Sequence, residues 1–312
     1  MKTIYYSLSE ACAELQPSVA TVGFFDGVHL GHRYVVSQVM EEARRQGLAS
    51  TVITFERHPR QVVHPEWKPQ LLTTLDEKQQ CLEQTGIDQL VVLRFDVVMA
   101  ALTGREFMEH VLSEQLQVRT LLMGYDNQFG RGRTEGMEDF RRYGQELGMP
   151  VRQLSIAPSG SISSTHVRQS LSEGDVTEAF RCMGRPYTLS GRVVVGEHIG
   201  TAMGFPTANL EPDAPEKLLP APGVYAVTVQ LEAAQGLWHG MMNIGTRPTF
   251  DGQRQTLETH IFQYEGSLYG QRMTVSFVRR LRDERRFSSM EALTAQLRRD
   301  AEKAETILNK GI

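Results

Sequence analysis

Short apolar runs alternate with segments of helical periodicity through the first half of the chain. Five runs rich in β-branched and other apolar residues predict strands, at residues 19–24, 51–55, 90–95, 119–123 and 151–154. After the first run, apolar residues recur on one helical face over residues 35–43, and Gly47 then provides a C-terminal stop. The pattern predicts a strand–turn–helix unit followed by further strands.

Further helices separate these strands. Thr74 and Glu77 have the spacing of a capping box, which predicts a helix from residue 75 to about residue 86. Other helical segments are predicted at residues 105–117, 164–173 and 175–183. Strands separated by helices form a parallel sheet with right-handed crossovers, and ligands bind beyond the carboxyl ends of its strands. The loops that follow the first, second and fourth strands are therefore expected to converge.

The pattern changes near residue 184, where Gly184-Arg185-Pro186 ends the helical periodicity. Five runs rich in Val, Thr and Tyr follow, at residues 189–195, 224–231, 237–244, 257–264 and 272–281. Turns with Gly or Pro separate them, which predicts an antiparallel sheet or small barrel. A second capping box, Ser288 with Glu291, starts a last helix. We expect two domains, an α/β domain at residues 1–183 and a β domain at residues 184–312.

Length and composition narrow the class of function. The 312 residues suffice for two cores, and 40% hydrophobic with 22% charged residues is typical of a soluble globular protein. The net charge of −4 argues against a nucleic-acid partner, and no apolar run is long enough to indicate a membrane segment. Cys12, Cys81 and Cys182 form neither a metal-binding spacing nor a disulfide framework, which fits the cytoplasm. Small molecules are the expected partners, and weak self-association stays open.

Two histidines mark the turn after the first strand. Gly23, Gly27 and Gly31 punctuate this turn, and His29 and His32 stand where the helix begins. A helix N-terminus favours bound phosphate, and imidazoles can donate hydrogen bonds to it. The alternatives are a zinc-binding pair, which has no cysteine or carboxylate partner nearby in sequence, and ordinary polar loop residues. The strand–glycine–helix context favours the phosphate site.

Two later stretches carry further candidate nucleotide ligands. In the loop at residues 124–133, Asp126 suits a ribose, a base or a magnesium-linked group, and the two arginines suit phosphate. A turn with solvated arginines is the alternative. At residues 162–168, hydroxyls at a predicted helix start precede Arg168 by one turn, which either holds phosphate or caps a helix with a surface arginine.

A glycine-punctuated loop at residues 196–209 is the candidate site of the second half. Glycines let backbone N–H groups gather around phosphates. Thr207 and Asn209 share one face of an extended backbone, and their neutral oxygens suit magnesium held jointly with nucleotide phosphates. A plain hairpin turn is the alternative, and the loop alone does not decide between them.

Three motifs together resemble a known family. GFFDGVHLGH at residues 23–32 resembles the first motif of the nucleotidylyltransferase superfamily, and ISSTHVR at 162–168 is similar to its motif that closes over ATP phosphates. GFPTAN at 204–209 resembles the riboflavin kinase signature. The motifs follow the order of the bacterial bifunctional riboflavin kinase/FAD synthetases over nearly the whole chain. The resemblance implies a Rossmann-like nucleotidylyltransferase domain with a parallel sheet, then an antiparallel β-barrel domain with a C-terminal helix.

The resemblance implies adenylylation of FMN to FAD by the first domain. A phosphate oxygen of FMN attacks the α-phosphate of ATP, pyrophosphate leaves, and magnesium assists. His29, His32, Ser164 and Arg168 are implied to position the substrates and neutralise charge. Further nucleotide contacts are implied at Gly23, Phe24, Asp26, Gly27, Gly31, Asp126, Ser163 and Thr165. The stretch at 54–60 resembles a segment on the flavin side.

The resemblance also implies phosphorylation of riboflavin to FMN by the second domain. Thr207 and Asn209 are the implied ligands of ATP and magnesium, and Glu258 is the implied base for the 5′-hydroxyl of riboflavin. An outward-facing strand glutamate is the alternative for Glu258. Other implied contacts are Gly196, Gly200, Gly204, Pro206, Asn243 and Arg282, the last with a flavin phosphate. Many family members have an arginine in the glycine loop, and residues 197–203 have none, which argues against tight ATP binding by this half.

Two rival functions stay open at this point. The first is an enzyme with one active site whose barrel only binds flavin, and the missing loop arginine favours it. The second is a non-catalytic flavin or nucleotide sensor. The presence of both histidines, of the Thr207–Asn209 pair and of Glu258 argues against a sensor.

Overall fold

A computed structural model describes residues 1–10, 15–124, 127–155, 162–196, 200, 203–232, 234–249 and 252–310 of the chain, with the backbone alone at 247–249 and 252–254. The chain forms two compact units, Met1–Ser163 and Ser164–Ile312, and each has its own sheet. The α/β class of the first part and the β-barrel of the second are thereby confirmed. The functional boundary at residue 184 stays a prediction.

The first unit alternates strands and helices. Its strands are β1 Lys2–Tyr6, β2 Ser18–Val22, β3 Ala49–Phe55, β4 Gln89–Leu93, β5 Val118–Met123 and β6 Val151–Gln153. Its helices are α1 Leu30–Gln46, α2 Pro59–Val63, α3 Leu75–Glu83, α4 Val97–Ala101, α5 Gly104–Glu106 with a π-helical continuation over Phe107–Gln115, and α6 Met137–Glu146. A single 3₁₀ turn lies at Arg131–Arg133.

The six strands form one parallel sheet in the order β1-β4-β3-β2-β5-β6. Every residue of β2, β3 and β4 is buried, as expected for central parallel strands covered on both faces. The chain moves outward from β2 to β3 on one side and to β5 on the other. The strand order therefore reverses at β2, and the loops after β2 and β5 flank the crevice where such sheets bind ligands.

The loops at the carboxyl edge of this sheet are joined by hydrogen bonds. The Thr54 hydroxyl donates to the carbonyl of Phe24 at 3.0 Å. The Asn127 side-chain amide donates to the carbonyl of Val22. The loop after β2 thus contacts the end of β3, and the loop after β5 contacts the end of β2, in agreement with the expected convergence.

Helix α1 confirms the predicted amphipathic pattern. Val36, Val39 and Ala43 are its buried residues, and Gly47 ends it with a φ of 66°. The N–H of Gly47 donates to the carbonyls of Ala43 and Arg44, which satisfies groups that a helix end leaves free. The helix is therefore fixed at its far end as well as on the sheet.

The second unit begins with two helices and continues as a barrel. The helices are α7 Ser164–Ser172 and α8 Val176–Met183. The strands are β7 Tyr187–Val194, β8 Ala208–Pro212, β9 Gly223–Leu231, β10 Leu237–Thr249, β11 Gly252–Ile261 and β12 Arg272–Arg282, followed by α9 Met290–Leu308. The strands close in the order β10-β11-β8-β7-β12-β9, with every pair antiparallel.

Helices α7 and α8 are packed on the barrel. The Arg280 guanidinium donates to the carbonyl of Glu173 at 3.1 Å and to that of Pro222 at 2.7 Å. The N–H of Ala221 donates to the carbonyl of Leu171 at 2.9 Å. These bonds hold the helix pair to the barrel loops, which explains why the compact unit starts at Ser164.

Helix α9 covers one side of the barrel. Ala304 and Leu308 pack with Val224, Ala226 and Leu281 in one buried cluster. Eight of the nine residues of β9 are buried, because this strand faces the barrel interior on one side and α9 on the other. Across the described residues, none of the helices combines the length and the apolar character that crossing a bilayer requires.

Gly191→Ala is expected to open the barrel between β7 and β8. A Cβ at Gly191 would lie 2.0 Å from the carbonyl oxygen of Glu211, and a paired backbone cannot move aside without breaking its ladder. Overpacking of this kind costs about 3 kcal/mol, which lowers the midpoint of thermal unfolding by about 10 °C. Trp238 fluorescence in a Trp67→Phe background reports on the barrel.

Gly136→Ala is the matched control for this substitution. A Cβ at Gly136 meets no atom within 4 Å, and its φ of −104° suits alanine. Its barrel midpoint should equal that of the parent protein. An unchanged midpoint in Gly191→Ala would contradict the close β7–β8 approach.

Candidate active sites

The first candidate site is the turn that joins β2 to α1. Phe25, Gly27 and Val28 have φ values of 53°, 82° and 37°. A left-handed backbone is costly for a residue with a Cβ, above all for β-branched valine. Strain at two non-glycine positions of one short turn, Phe25 and Val28, indicates that the surrounding structure imposes its shape.

Asp26 holds the turn from inside the protein. Its side chain is buried, and its carboxylate accepts hydrogen bonds from the N–H groups of Leu72 and Thr73 at 3.0 Å and from the Thr73 hydroxyl at 3.1 Å. The N–H of Gly27 donates to the Thr73 hydroxyl at 2.9 Å. Asp26 therefore clamps the turn to the loop before α3, and its predicted contact with nucleotide stays a prediction.

The two histidines are fixed at the N-terminus of α1. His29 is its N-cap, and its Nδ1 accepts the N–H of His32 at 3.3 Å. The two rings stack with centroids 3.7 Å apart, and the Phe25 ring packs edge-on against His32 at 5.1 Å. Because Nδ1 of His29 is an acceptor, the proton of the neutral ring is on Nε2. A capped helix of 17 residues with two rings at its positive end is suited to an anion.

Gly31 brings the last predicted motif of the first half to this turn. A Cβ at Gly31 would lie 2.9 Å from the carbonyl oxygen of Ile162 and 3.1 Å from the His29 ring. Only glycine allows both groups to approach this closely. The residue that begins the predicted phosphate-closing stretch therefore touches the histidine turn, and Ser163 follows it.

Ser164, Thr165 and Arg168 lie on α7 in the second unit. Val167 and Leu171 form the buried side of this helix, whereas Thr165 is exposed and Ser164 and Arg168 are half-buried. Of the side chains named for phosphate on this helix, only Thr165 is exposed. Their action on ATP stays a prediction.

A polar group of three side chains joins α7 to α8. His166 Nε2 lies 3.3 Å from a carboxylate oxygen of Glu178, and Cys182 Sγ donates to the same carboxylate at 3.6 Å. A ring nitrogen of His166, a carboxylate oxygen of Glu178 and the Sγ of Cys182 lie within 4.8 Å of one another. Hydrogen bonds from His166 and Arg181 lower the pKa of Glu178, so an ionised carboxylate held by these partners accounts for the grouping.

Lys78 lies on α3 and contacts the start of the turn that forms the first candidate site. Its role was not predicted from the sequence. The residue is 2% exposed, and its ammonium donates to the carbonyls of Phe24 at 3.0 Å and Phe55 at 3.2 Å and to the Thr54 hydroxyl at 3.3 Å. Burial lowers its pKa to about 8, although the nearby Asp26 carboxylate raises it. A lysine in the middle of a helix carries no sequence signal that separates it from a surface lysine.

Aromatic contacts link the same turn to the loop predicted on the flavin side. The ammonium of Lys78 lies 4.1 Å from the centroid of the Phe24 ring. The Phe24 ring meets His58 edge-on at 4.6 Å, and His58 packs against Trp67 at 4.7 Å. Arg60 lies over Trp67 at 5.0 Å. The stretch predicted at 54–60 therefore adjoins the turn through ring contacts.

The second candidate site is a row of side chains across three strands of the barrel. In the register of β10, β11 and β8, Asn243 lies opposite Glu258, and Glu258 lies opposite Asn209. Thr207 precedes Asn209 by two residues, so it shares that face if the extended backbone continues. The antiparallel register thus brings together residues that are far apart in sequence.

A cavity of about 320 Å³ opens on this face. Thr207, Asn243, Glu258 and Arg282 contribute its polar lining. Its apolar walls come from the glycine loop, the barrel and the C-terminal helix, through Met203, Phe205, Val224, Met241, Phe287, Leu293 and Leu297. Sequence patterns did not single out this wall, because its members look like ordinary core positions. A flat apolar ring system with one polar end fits such a cavity.

Thr207 lines two cavities at once. The second cavity, also of about 320 Å³, lies along Ala208, Thr259 and Ile261 and under the β11–β12 loop that contains Tyr264 and Tyr269. A residue that faces both cavities can touch two different ligands. Thr207 is the residue that the linings of the two cavities share.

His260 was also missed by sequence reasoning. It lines the first cavity two residues from Glu258, and its Nδ1 donates to the carbonyl of Pro206 at 2.8 Å. Phe205 and Phe262 pack edge-on against its ring at 5.1 and 5.6 Å. Burial lowers the pKa of His260, so the neutral ring holds the Pro206–Thr207 backbone in place.

Arg282 has strong partners within the protein. Its Nε lies 2.9 Å from a carboxylate oxygen of Asp300 on α9, and its Nη1 donates to the carbonyl of Asp283 at 2.9 Å. Asp300 is buried, and the Phe287 ring lies 5.6 Å from the guanidinium carbon. Arg282 therefore anchors α9 beside the cavity, and its contact with a flavin phosphate stays a prediction.

The described glycines of the loop after β7 pack closely. A Cβ at Gly196 would lie 2.0 Å from the side-chain amide nitrogen of Asn209. Gly200 accepts the N–H of Phe205 at 2.9 Å and would clash with the Phe205 carbonyl if it carried a Cβ. Gly204 has a φ of 77°. The loop therefore folds back on the residues before β8. Asp126 and residues 197–199, 201 and 202 lie outside the described residues.

Comparisons with known proteins agree on both halves of the chain. A family model for FAD synthetase matches residues 11–166, and a family model for riboflavin kinase matches residues 183–308. The first match contains the histidine turn, and the second contains the barrel with the Glu258 row.

Curated relatives cover nearly the whole chain. A bifunctional riboflavin kinase/FMN adenylyltransferase of Escherichia coli (strain K12) is 38% identical over 297 residues, which are 95% of this chain and 93% of the relative. The Haemophilus influenzae protein of the same name is 34% identical and covers 97% of this chain and 98% of its own. A crystal structure described as a macrolide-efflux protein from Streptococcus pneumoniae has a TM-score of 0.86 at 29% identity, and covers 98% of this chain and 99% of that one.

Lys78 is expected to make stability depend on alkaline pH. Its pKa is about 8 in the folded protein, below the ordinary 10.5. Between these values the unfolded chain binds a proton that the folded chain lacks, so the free energy of unfolding rises as the pH rises from about 8. Lys78→Met should remove this rise.

Urea unfolding followed by Trp67 fluorescence in a Trp238→Phe background measures this effect on the first unit. Lys68→Met, which removes an exposed lysine of the same unit, is the control and should keep the rise. Equal pH slopes in the parent protein and in Lys78→Met would contradict the lowered pKa.

Proposed function

The chain belongs to the family of bifunctional riboflavin kinase/FMN adenylyltransferases, and on that premise we propose which residues carry its two reactions. The riboflavin kinase half converts riboflavin and ATP to FMN and ADP. The FAD synthetase half joins FMN to the adenylyl group of ATP and releases pyrophosphate. One observation supports the proposal. Each half that a family model matches contains a candidate site, which is the His29–His32 turn in the first half and the strand row around Glu258 in the second.

In the kinase half we assign the base to Glu258. It lines the apolar-walled cavity beside Thr207, where a flavin would place its ribityl chain. Glu258 accepts the proton of the 5′-hydroxyl as that oxygen attacks the γ-phosphate of ATP, and ADP leaves. Asn243 and Asn209 flank Glu258 in the strand register, so the carboxylate is held in a polar row.

Magnesium fits the same row. The hydroxyl of Thr207 and the amide oxygen of Asn209 are neutral oxygen ligands, which magnesium accepts when phosphates supply the negative charge. When bound there, magnesium would supply positive charge that offsets the charge developing on the phosphates. The close packing of Gly196 on Asn209 restricts where that amide points.

The two cavities divide the kinase substrates. The cavity walled by Phe205, Met241 and Phe287 suits the isoalloxazine ring, and the cavity beneath the β11–β12 loop suits ATP. Thr207 stands between them, which supports transfer of a phosphoryl group from one occupant to the other.

In the FAD synthetase half, the histidines act as electrostatic groups. A phosphate oxygen of FMN is already a nucleophile at neutral pH, so the site needs positioning and charge neutralisation rather than a strong base. The phosphates of ATP lie at the N-terminus of α1, where His29 and His32 donate to them. Ser164 and Arg168 are the further residues that we assign to adenylyl transfer, with magnesium.

Further contacts complete the proposal. Nucleotide contacts of the first half are Gly23, Phe24, Asp26, Gly27, Gly31, Asp126, Ser163 and Thr165. Those of the second half are Gly196, Gly200, Gly204, Pro206, Asn243 and Arg282. The partners are small molecules, with neither nucleic acid nor membrane involved, and the enzyme acts in the cytoplasm.

Incubation with riboflavin, ATP and magnesium, followed by chromatography of the flavins, tests the proposal as a whole. We expect both FMN and FAD to form. FMN without FAD, or FAD only when FMN is supplied, would mean that one site alone is active. Tight flavin binding without a product would indicate a sensor.

Glu258→Gln is expected to lower riboflavin phosphorylation by about 100-fold or more, because general-base catalysis contributes about that factor. Adenylylation of supplied FMN should be unchanged. The exposed Glu232 on the same barrel gives the matched control, Glu232→Gln, which should leave both rates intact. Full phosphorylation by Glu258→Gln would remove Glu258 from the mechanism.

His29→Ala is expected to have the opposite effect. Loss of one electrostatic donor at a transition state costs about 100-fold in rate, so FAD formation from FMN should fall by that factor. Riboflavin phosphorylation by the same chain should persist, which shows that the protein is folded. His110→Ala changes an exposed histidine of the same unit and is the control. Loss of both activities in a folded His29→Ala protein would show that the roles are divided wrongly.

A further inference from the structure

The ammonium of Lys78 joins two strand ends at the ligand edge of the sheet. Phe24 follows β2 and Phe55 ends β3, and the carbonyls of both accept hydrogen bonds from this one group. The third acceptor is the Thr54 hydroxyl, which itself donates to the Phe24 carbonyl. All three N–H bonds of the ammonium are therefore directed to neutral oxygens at one junction.

Burying an ammonium group only to connect two strand ends is energetically unfavourable. Removing a charge from water carries a large desolvation penalty even after the protein relaxes. Three neutral acceptors and the Phe24 ring at 4.1 Å offset part of this cost. A neutral or apolar residue would serve packing alone better, so the charge itself requires an explanation.

The junction lies immediately before the strained turn. Phe24 precedes Phe25, whose φ of 53° begins the left-handed stretch that leads to His29. Asp26 clamps the turn on one side through Leu72 and Thr73. Lys78 holds the Phe24 carbonyl, so the first part of the turn is held at two points.

We propose that Lys78 is a positioning residue for adenylyl transfer: its ammonium fixes the Phe24 carbonyl and ring, and thereby the direction in which His29 and His32 face the reacting phosphates. The inference rests on the proposed function of the first site. Since no carboxylate takes any of the three N–H bonds, the positive charge also contributes to the field at the edge that receives a triphosphate.

Lys78→Met in the full-length protein tests the inference, because methionine keeps the length of the side chain and removes the charge and its bonds. We expect kcat for FAD formation to fall by about 100-fold, as for a displaced catalytic group, while the KM for FMN changes little. Riboflavin phosphorylation should be unchanged. Lys68→Met, at an exposed position of the same unit, should match the parent protein.

The pH profile separates positioning from mere packing. In the parent protein we expect kcat for FAD formation to fall as Lys78 loses its proton near pH 8. In Lys78→Met, kcat for FAD formation should not show this decrease near pH 8. Asp26 in the turn and His58, which packs on the same Phe24 ring, are the titratable groups that face this junction, and both are retained in the variant.

Two results would overturn the inference: a parent-like kcat in Lys78→Met, or the same decrease near pH 8 in both proteins. If Lys78→Met loses the folded Trp67 fluorescence, Thr54→Val decides the question instead. It keeps the charge and removes the hydroxyl between Lys78 and Phe24, so kcat should fall by about 10-fold, as for one lost hydrogen bond. Parent-like turnover in Thr54→Val would then reject the inference. A parent protein that makes no FAD at all would instead reject the proposed function.

Discussion

The carbonyl of Phe24 is the group on which the first site depends. It accepts hydrogen bonds from the Thr54 hydroxyl and the Lys78 ammonium, so the end of β2 is tied to β3 and to α3. The next two residues of the turn are also constrained. Phe25 has a left-handed backbone, and the buried Asp26 is held by hydrogen bonds. A loop has no ladder of its own, and each of its directions must be fixed by a specific side chain. Because two donors hold this carbonyl, the backbone that leads to the histidines is restrained at its start.

The barrel positions its candidate site residues by strand pairing and not by side-chain bonds to a loop. Asn243, Glu258 and Asn209 come together because adjacent strands place directly opposed residues about 5 Å apart between their α-carbons, and the observed register makes them neighbours. Only the glycine loop needs additional support, which His260 gives through the carbonyl of Pro206. The candidate site of the first unit is thus held by side-chain bonds to loops, whereas the candidate site of the barrel is held by strand pairing.

This difference explains how much of each site could be predicted from the sequence. The periodicity of apolar residues and the positions of glycine and proline located the strands, helix α1 and its end at Gly47. These features depend on the local conformational preferences of the residues. The barrel row was predictable as single residues through motif resemblance, but its register was not. Lys78 and the Arg282–Asp300 pair were out of reach, since their partners are distant in sequence and a buried charge looks like an exposed one. The packing of α7 on the barrel depends on Arg280, another long-range contact.

Two ways of holding a nucleotide have different consequences for one chain that uses ATP twice. A site built on strand register is insensitive to single loop changes, since each side chain is fixed by bonds along two neighbouring strands. A site built on a strained turn responds to its few anchors, because releasing one lets the left-handed residues relax. Under the proposed division of roles, the charges of Lys78, Asp26 and the helix N-terminus affect FAD formation, whereas the barrel supplies its own acids and amides for phosphorylation. The two activities of the chain can thus vary independently, although both depend on the same nucleotide.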